Sequence, residues 1–197
     1  RMVEAWRSMP AQLAKENKKF QYKTVRSGGR ASQYETALAW LETAGLVNRC
    51  VQIVSGQLPL SLHENRDAFK MYLADTGLLS ARMQVRAATL FDEEGRKELD
   101  AGALAENYVA QVLTSRGFDL LYWVSQGKAE VDFVIDVGMQ KAVPIEVKSS
   151  RNVRSKSLSV YREKYEPPYA IRLSTRNFGF EGGVKSVPLY AAFCLRR

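Results

Sequence analysis

The chain has 197 residues, 46% hydrophobic and 25% charged, a composition that supports one large or two small globular domains with real cores. No apolar run reaches membrane-spanning length and no signal peptide is visible, so we expect a cytoplasmic protein without a membrane partner. The two cysteines lack metal-ligand spacing and His63 is the single histidine, which argues against zinc chemistry and histidine catalysis. Because the first residue is Arg1 rather than Met, we expect a fragment of a longer protein.

Charge is distributed unevenly along the sequence. The formal net charge is +8, and residues 1–30 carry eight Lys or Arg and two Glu. Residues 31–150 carry eleven basic and sixteen acidic residues, whereas residues 151–197 carry ten basic and three acidic residues. This distribution suits a protein that binds a polyanion through its basic terminal segments and cleaves it at its acidic central segment. Basic surfaces that are merely solvated would give the same distribution of charge.

A first helix is predicted over residues 4–16, broken or restarted at Pro10. In the segment that follows, Phe20 and Tyr22 lie between lysines, a pattern that can bind phosphates and stack bases. The same pattern also fits an amphipathic segment that docks both rings into the core. The basic residues predicted to contact nucleic acid are Lys18, Lys19, Lys23 and Arg26.

The next elements indicate a winged-helix-like domain over residues 1–90. Ser32 with Glu35 has the pattern of a capping box and predicts a helix over residues 33–44, which Gly45 ends. Residues 46–54 alternate as a strand, and residues 69–73 predict a returning strand. Folds of this kind bind DNA in some proteins and serve as protein–protein modules in others. The charged stretch over residues 91–98 is predicted to be the linker to a second domain.

The second domain, residues 91–197, begins with a predicted helix over residues 103–115 that carries Glu106 at the edge of its apolar stripe. Apolar strands are predicted over residues 120–124, 130–135 and 144–148. A second helix is predicted over residues 155–165, then a strand over residues 169–173 and a terminal apolar element over residues 187–195. This order predicts an α/β (α+β) domain with a central mixed sheet flanked by helices.

The two strands over residues 130–135 and 144–148 alternate apolar with polar residues and are predicted to form a half-buried hairpin. Their period of two places Glu146 and Lys148 on one face, opposite Ile145 and Val147, with Asp132 on the neighbouring strand. Acids on a strand are costly to bury unless a partner such as a divalent cation or Lys148 neutralises them. A solvent-face ion pair, which is common and contributes little, explains the same pattern.

The order Glu106, Asp132, Glu146 and Lys148 resembles the core of the PD-(D/E)XK nucleases, with Val131 in place of the proline of the family name. The resemblance implies a restriction-endonuclease-like domain in which Glu106, Asp132 and Glu146 hold Mg²⁺ or Mn²⁺. It also implies that Lys148 activates or positions the attacking water. The Val147 carbonyl is a further candidate ligand.

A wider resemblance covers residues 13–20, 39–47, 69–79, 102–109 and 122–148. These segments look like the C-terminal region of bacterial and archaeal AAA-type ATPases that carry the domain of unknown function 4143. The resemblance implies a winged helix followed by a PD-(D/E)XK-like domain, with a P-loop ATPase domain upstream as a partner. The chain has no Gly-x-x-x-x-Gly-Lys-Ser/Thr pattern, so we expect ATP binding in the full-length protein alone.

Three functions follow from these observations. The first is a metal-dependent nuclease domain that acts on nucleic acid, with DNA favoured as the substrate. The second is a non-catalytic module that binds DNA or protein and couples to the ATPase domain. The third is structural, with the acids knitting the hairpin and the region serving oligomer assembly. The intact set Glu106, Asp132, Glu146 and Lys148 favours the nuclease.

Overall fold

The computed structural model describes residues 1–15, 18–85, 88–89, 101–125, 129–149 and 156–196. It is a mixed α/β structure with two mixed β-sheets. The chain forms two compact units, the first comprising residues 1–49 and 69–111 and the second residues 50–68 and 112–197. The domain division predicted between residues 90 and 91 stays a prediction, and the linker predicted over residues 91–98 lies outside the described residues.

The elements follow one another in a mixed order of helices and strands. The helices are α1 (Met2–Leu13), α2 (Tyr22–Val25), α3 (Ala31–Thr43), α4 (Thr76–Arg82), α5 (Ala101–Ser115) and α6 (Lys156–Tyr165), with 3₁₀ turns at Leu60–His63 and Leu189–Cys194. The strands are β1 (Val47–Ile53), β2 (Glu64–Leu73), β3 (Leu121–Val124), β4 (Glu130–Val131), β5 (Phe133–Ile135), β6 (Val143–Lys148), β7 (Ala170–Ser174), β8 (Gly179–Glu181) and β9 (Val184–Pro188). No helix within the described ranges is both long and apolar enough to cross a membrane.

Helix α1 continues through Pro10, so the predicted break is wrong. Ala5, Met9 and Leu13 repeat at intervals of four residues and are fully or almost fully buried. Their packing keeps the chain helical on both sides of Pro10, although the ring removes one backbone donor. The backbone N–H of Ala14 still donates to the Pro10 carbonyl at 2.9 Å.

Helix α3 is present as predicted, but its cap differs. The helix begins at Ala31 rather than Gln33, and the Gln33 side chain accepts the Arg30 N–H at 3.1 Å. Glu35, the predicted partner of a Ser32 cap, instead accepts a hydrogen bond from the Tyr22 hydroxyl at 2.8 Å. The capping-box pattern of Ser32 and Glu35 therefore predicted the helix correctly, but the predicted position of its first turn is wrong.

The strands predicted for the central sheet of the domain over residues 91–197 are divided between two sheets. One has the order β2-β1-β3-β4, and the other has the order β5-β6-β7-β9-β8. The predicted strand over residues 130–135 divides at Asp132, because β4 pairs with β3 whereas β5 pairs with β6. Asp132 therefore lies where the chain leaves one sheet and enters the other.

The hairpin of β5 and β6 is antiparallel as predicted, with Phe133 opposite Ile145. The expectation of a half-buried β6 is wrong, because every residue from Val143 to Val147 is buried. Strand β6 lies between β5 and β7 in its sheet, and its second face is buried at Pro144 and Glu146 and half-buried at Lys148. The acid on this strand, Glu146, is only 4% exposed.

An aromatic cluster anchors α6 in the core of the second unit. The rings of Trp123 and Tyr161 meet edge to face at 5.3 Å, and Trp123 Nε1 donates to the Tyr165 hydroxyl at 3.1 Å. Burial of Tyr161 raises the pKa of its hydroxyl, since the charged form would lose its solvation. Because α6 contacts both β4 and β6, this cluster helps to fix the strand that precedes Asp132 and the strand that carries Glu146.

Candidate functional site

Glu146 and Lys148 form an ion pair on one face of β6. Lys148 Nζ lies 2.6 Å from Glu146 Oε1, and the two residues share a face because side chains alternate along a strand. The Lys148 side chain is 32% exposed, whereas that of Glu146 is 5% exposed. Glu146 is therefore the buried member of the pair and Lys148 the member that a polar ligand can reach from solvent.

Asp132 reaches the same strand from its position between β4 and β5. Its Oδ2 accepts the backbone N–H of Val147 at 2.7 Å. Extending the β5–β6 register from Phe133 and Ile145 by one residue sets Asp132 beside Glu146. The structure thus brings three of the four predicted catalytic residues, Asp132, Glu146 and Lys148, to one region of the second unit.

Glu146 Oε2 is buried and has no hydrogen-bond partner among the described residues. A buried oxygen of a carboxylate without a partner is costly, and native structures contain few of them. Hard cations such as Mg²⁺ and Mn²⁺ prefer carboxylate oxygens, and Mg²⁺ commonly takes one or two carboxylates with water or phosphate completing its shell. The donor set at Asp132 and Glu146 therefore fits such an ion, although the described residues contain no group of three His, Cys, Asp or Glu suited to a metal.

Glu106, the fourth predicted residue, belongs to the first unit, where Lys18, Lys70 and Tyr72 contact its carboxylate. Oε2 pairs with Lys18, and Oε1 accepts hydrogen bonds from Lys70 Nζ at 3.1 Å and from the Tyr72 hydroxyl. Glu106 is 4% exposed, and Lys70 and Tyr72 are fully buried. These contacts are those of a buried ion-pair network, and the prediction that Glu106 binds a metal stays a prediction.

Burial alone would raise the pKa of Glu106, since it disfavours the charged form. The charges of Lys70 and Lys18 and the hydrogen bonds from Lys18 and Tyr72 outweigh burial and lower the pKa to about 2. Glu106 is therefore a carboxylate throughout the physiological range. Its charge offsets that of the buried Lys70, with which it forms an ion pair at 3.1 Å.

The aromatic and the basic residues of the segment near the N-terminus lie in different environments. Phe20 is buried and stacks on Phe69 with ring centroids 5.4 Å apart, and Tyr22 meets Phe20 edge to face at 5.3 Å. The rings therefore pack into the first unit rather than standing ready for bases. The Lys18 side chain, 15% exposed, pairs with Glu106, whereas the residues Lys19, Lys23 and Arg26 are exposed.

We predict that the exposed cations of this segment contact nucleic acid. Changing Lys19, Lys23 and Arg26 together to Gln, with Lys18 retained, should weaken binding of a labelled oligonucleotide. The salt slope should fall by about one for each phosphate contact that is lost. Fluorescence anisotropy across a KCl series measures both quantities. An unchanged affinity and slope would show that the segment serves another purpose, such as docking a protein.

Residues 101–192 match the family model described as Domain of unknown function (DUF4143), and residues 1–89 match that described as Domain of unknown function (DUF8612). Asp132, Glu146 and Lys148 lie within the part of the chain that is similar to the DUF4143 model. Comparison with curated proteins and with solved structures gave no match.

Proposed function

We propose that the second unit is a metal-dependent nuclease that cleaves phosphodiester bonds of nucleic acid at Asp132, Glu146 and Lys148. The observation that carries the proposal is the state of Glu146. One oxygen of this buried carboxylate contacts Lys148, and the other has no partner among the described residues. A cation held between Glu146 and Asp132 would supply the missing partner and neutralise two neighbouring acids.

Asp132 and Glu146 would hold Mg²⁺ or Mn²⁺, with the Val147 carbonyl as a further candidate ligand. Such an ion, when bound, acidifies a water molecule and stabilises charge on a phosphodiester. The Val147 N–H already fixes the Asp132 carboxylate through its hydrogen bond to Oδ2 at 2.7 Å. This contact orients Asp132 before any ligand arrives, which lowers the cost of assembling the site.

Lys148 would act on the water or on the phosphodiester. Its ammonium lies at the more exposed end of the ion pair, where an incoming phosphate can reach it. A positive charge at that point would orient the attacking water or offset the charge that develops on phosphorus-bound oxygens. Binding of a cation by Glu146 would weaken the hold of Glu146 on Lys148 and leave the ammonium available to the substrate.

The wider proposal places this site in a PD-(D/E)XK-like domain that follows a winged-helix-like domain and an upstream AAA-type ATPase domain. The support is the order of Asp132, Glu146 and Lys148 along the β5–β6 hairpin. The second strand of this hairpin, β6, also pairs in parallel with β7. DNA is the favoured substrate and the ATPase domain the expected partner, because the sequence resembles proteins of that arrangement.

The proposal is tested by incubating labelled DNA and labelled RNA with the chain in Mg²⁺, Mn²⁺ or EDTA. Wild type should cleave at least one substrate in a divalent metal and neither in EDTA. Asp132→Asn should reduce the rate by about a thousandfold or more, because a metal contributes several kcal/mol to the transition state. The new amide oxygen can still accept the Val147 N–H, so the fold should survive.

Asp136→Asn is the matched control for that variant. Asp136 is an exposed acid whose Oδ1 accepts the Gly138 N–H at 2.9 Å, a contact that asparagine also preserves. It should cleave as wild type does. A wild-type chain that binds nucleic acid but cuts none in either metal would contradict the proposal and leave the non-catalytic binding module in its place.

A further inference from the structure

Strand β7 contributes two polar residues to the face of the sheet that carries Glu146 and Lys148. The strands β6 and β7 run parallel, with Glu146 in register with Arg172 and Lys148 in register with Ser174. Residues in register on neighbouring strands project to the same face. Arg172 is therefore the cation that β7 places in register with Glu146, and it is none of the residues predicted from the sequence.

The guanidinium of Arg172 has a buried donor that an anion could accept from. Its Nε is buried and has no hydrogen-bond partner within the described part of the chain, and Glu146 Oε2 is in the same condition. The two neighbours of opposite charge thus do not satisfy each other through these atoms. Burial lowers the pKa of the Arg172 guanidinium, while the charge of Glu146 acts in the opposite direction.

We propose that Arg172 binds a phosphate group of the nucleic-acid backbone beside the site formed by Asp132, Glu146 and Lys148. The inference rests on the proposed function, since the phosphate would be that of the substrate. A planar guanidinium donates two parallel hydrogen bonds to phosphate oxygens, which Lys148 as a point charge does not. A cation on Glu146 and a phosphate on Arg172 would satisfy both partnerless buried atoms at once.

The test is the binding of a fluorescein-labelled, 15-nucleotide single-stranded DNA in EDTA, so that affinity is read without metal and without cleavage. Arg172→Gln should weaken binding about tenfold or more and reduce the salt slope by about one. Arg172→Lys retains the positive charge but loses the planar guanidinium that donates two parallel hydrogen bonds. It should therefore keep the salt slope of wild type while still losing several-fold in affinity.

Lys185→Gln is the matched control, because it removes one charge from the opposite face of the same sheet. Lys185 is in register with Ile171, and its ammonium lies 3.4 Å from the centroid of the Tyr169 ring. It should bind the DNA as wild type does. Equal affinities for Arg172→Gln and Lys185→Gln would overturn the inference.

The two proposals fail in different ways. A wild-type chain that cleaves nucleic acid while Arg172→Gln binds the probe with wild-type affinity would overturn the role of Arg172 alone. A wild-type chain that neither binds the probe nor cleaves would overturn this inference together with the proposed function. If thermal unfolding shows that Arg172→Gln does not fold, Arg172→Lys is the deciding variant. A several-fold loss of affinity at an unchanged salt slope would support the inference, and wild-type affinity would overturn it.

Discussion

Glu106→Gln should lower the free energy of unfolding by about 3 to 5 kcal/mol at neutral pH, the cost of removing one partner from a buried ion pair. The glutamine side chain is similar in size but removes the negative charge that pairs with the fully buried Lys70. Lys18 would lose the same partner. Urea unfolding followed by circular dichroism measures the loss.

The pH dependence gives a second readout for this variant. Because the folded-state pKa of Glu106 is lowered from 4.5 to about 2, its ionisation stabilises the fold at every pH well above 4.5. That contribution, about 3 kcal/mol, is lost as the pH falls from 4.5 towards 2. Wild type should therefore lose this part of its stability in acid, whereas Glu106→Gln should lack that part of the acid dependence.

Glu166→Gln serves as the control. Glu166 forms an ion pair with Lys141 at 3.2 Å, but its side chain is 79% exposed, so the variant should change stability little. A Glu106→Gln protein as stable as wild type that has lost a metal-induced rise in Tm would contradict the network described here. That result would instead support the metal-ligand role predicted from the sequence.

Lys148→Met should separate metal binding from turnover. The variant removes the partner of Glu146 Oε1, so both oxygens of this buried carboxylate would favour a cation, and Mn²⁺ should raise Tm at least as much as in wild type. Cleavage should fall by about a hundredfold to ten-thousandfold, the range for loss of one positioned charge or proton-transfer group. The measurements are single-turnover cleavage and thermal unfolding with and without Mn²⁺.

Lys141→Met provides the comparison, since it also removes a lysine paired with a glutamate, at 3.2 Å from Glu166. It should retain the wild-type cleavage rate. A Lys148→Met protein that cleaves at the same rate as Lys141→Met would show that Lys148 serves only as an ion-pair partner of Glu146.

Regular elements with strong apolar periodicity were predictable from the sequence. The strands around residues 47–53, 121–124 and 170–174 and the helices near residues 31–43, 101–115 and 156–165 all agree with their predicted positions to within a few residues. Each carries apolar residues at the spacing of a helix or a strand, and this period identifies such elements. The short edge strand β8 was missed, because Gly179–Glu181 is too brief and glycine-rich to show a period.

The candidate site was only partly predictable, because its properties depend on tertiary contacts. Alternation along residues 130–135 gave no sign that Asp132 separates two strands of different sheets, since Val131 and Phe133 are both fully buried. The spacing of Glu146 and Lys148 gave their common face but not the burial of that face. Glu106 at the edge of an apolar stripe was readable, but its contacts with Lys70 and Tyr72 come from a strand 34 or more residues earlier in the chain.

Arg172 is a residue of the candidate site that the sequence did not predict. Its position between Ile171 and Leu173 in an apolar strand marked it as a polar residue on the second face. No sequence pattern connected it with Glu146, because that relation arises from the parallel register of β6 and β7. Polar residues inside otherwise apolar strands are the signal that would have added it to the candidate residues.

Isothermal titration of Mn²⁺ into wild type, Asp132→Asn and Glu146→Gln tests the central claim most directly. It asks whether the buried carboxylate of Glu146 and its neighbour Asp132 hold a cation. The account predicts one Mn²⁺ bound by wild type, and heats reduced to background for both variants, each of which should unfold at a temperature close to that of wild type. No Mn²⁺ binding by wild type, or equal binding by all three proteins, would contradict it.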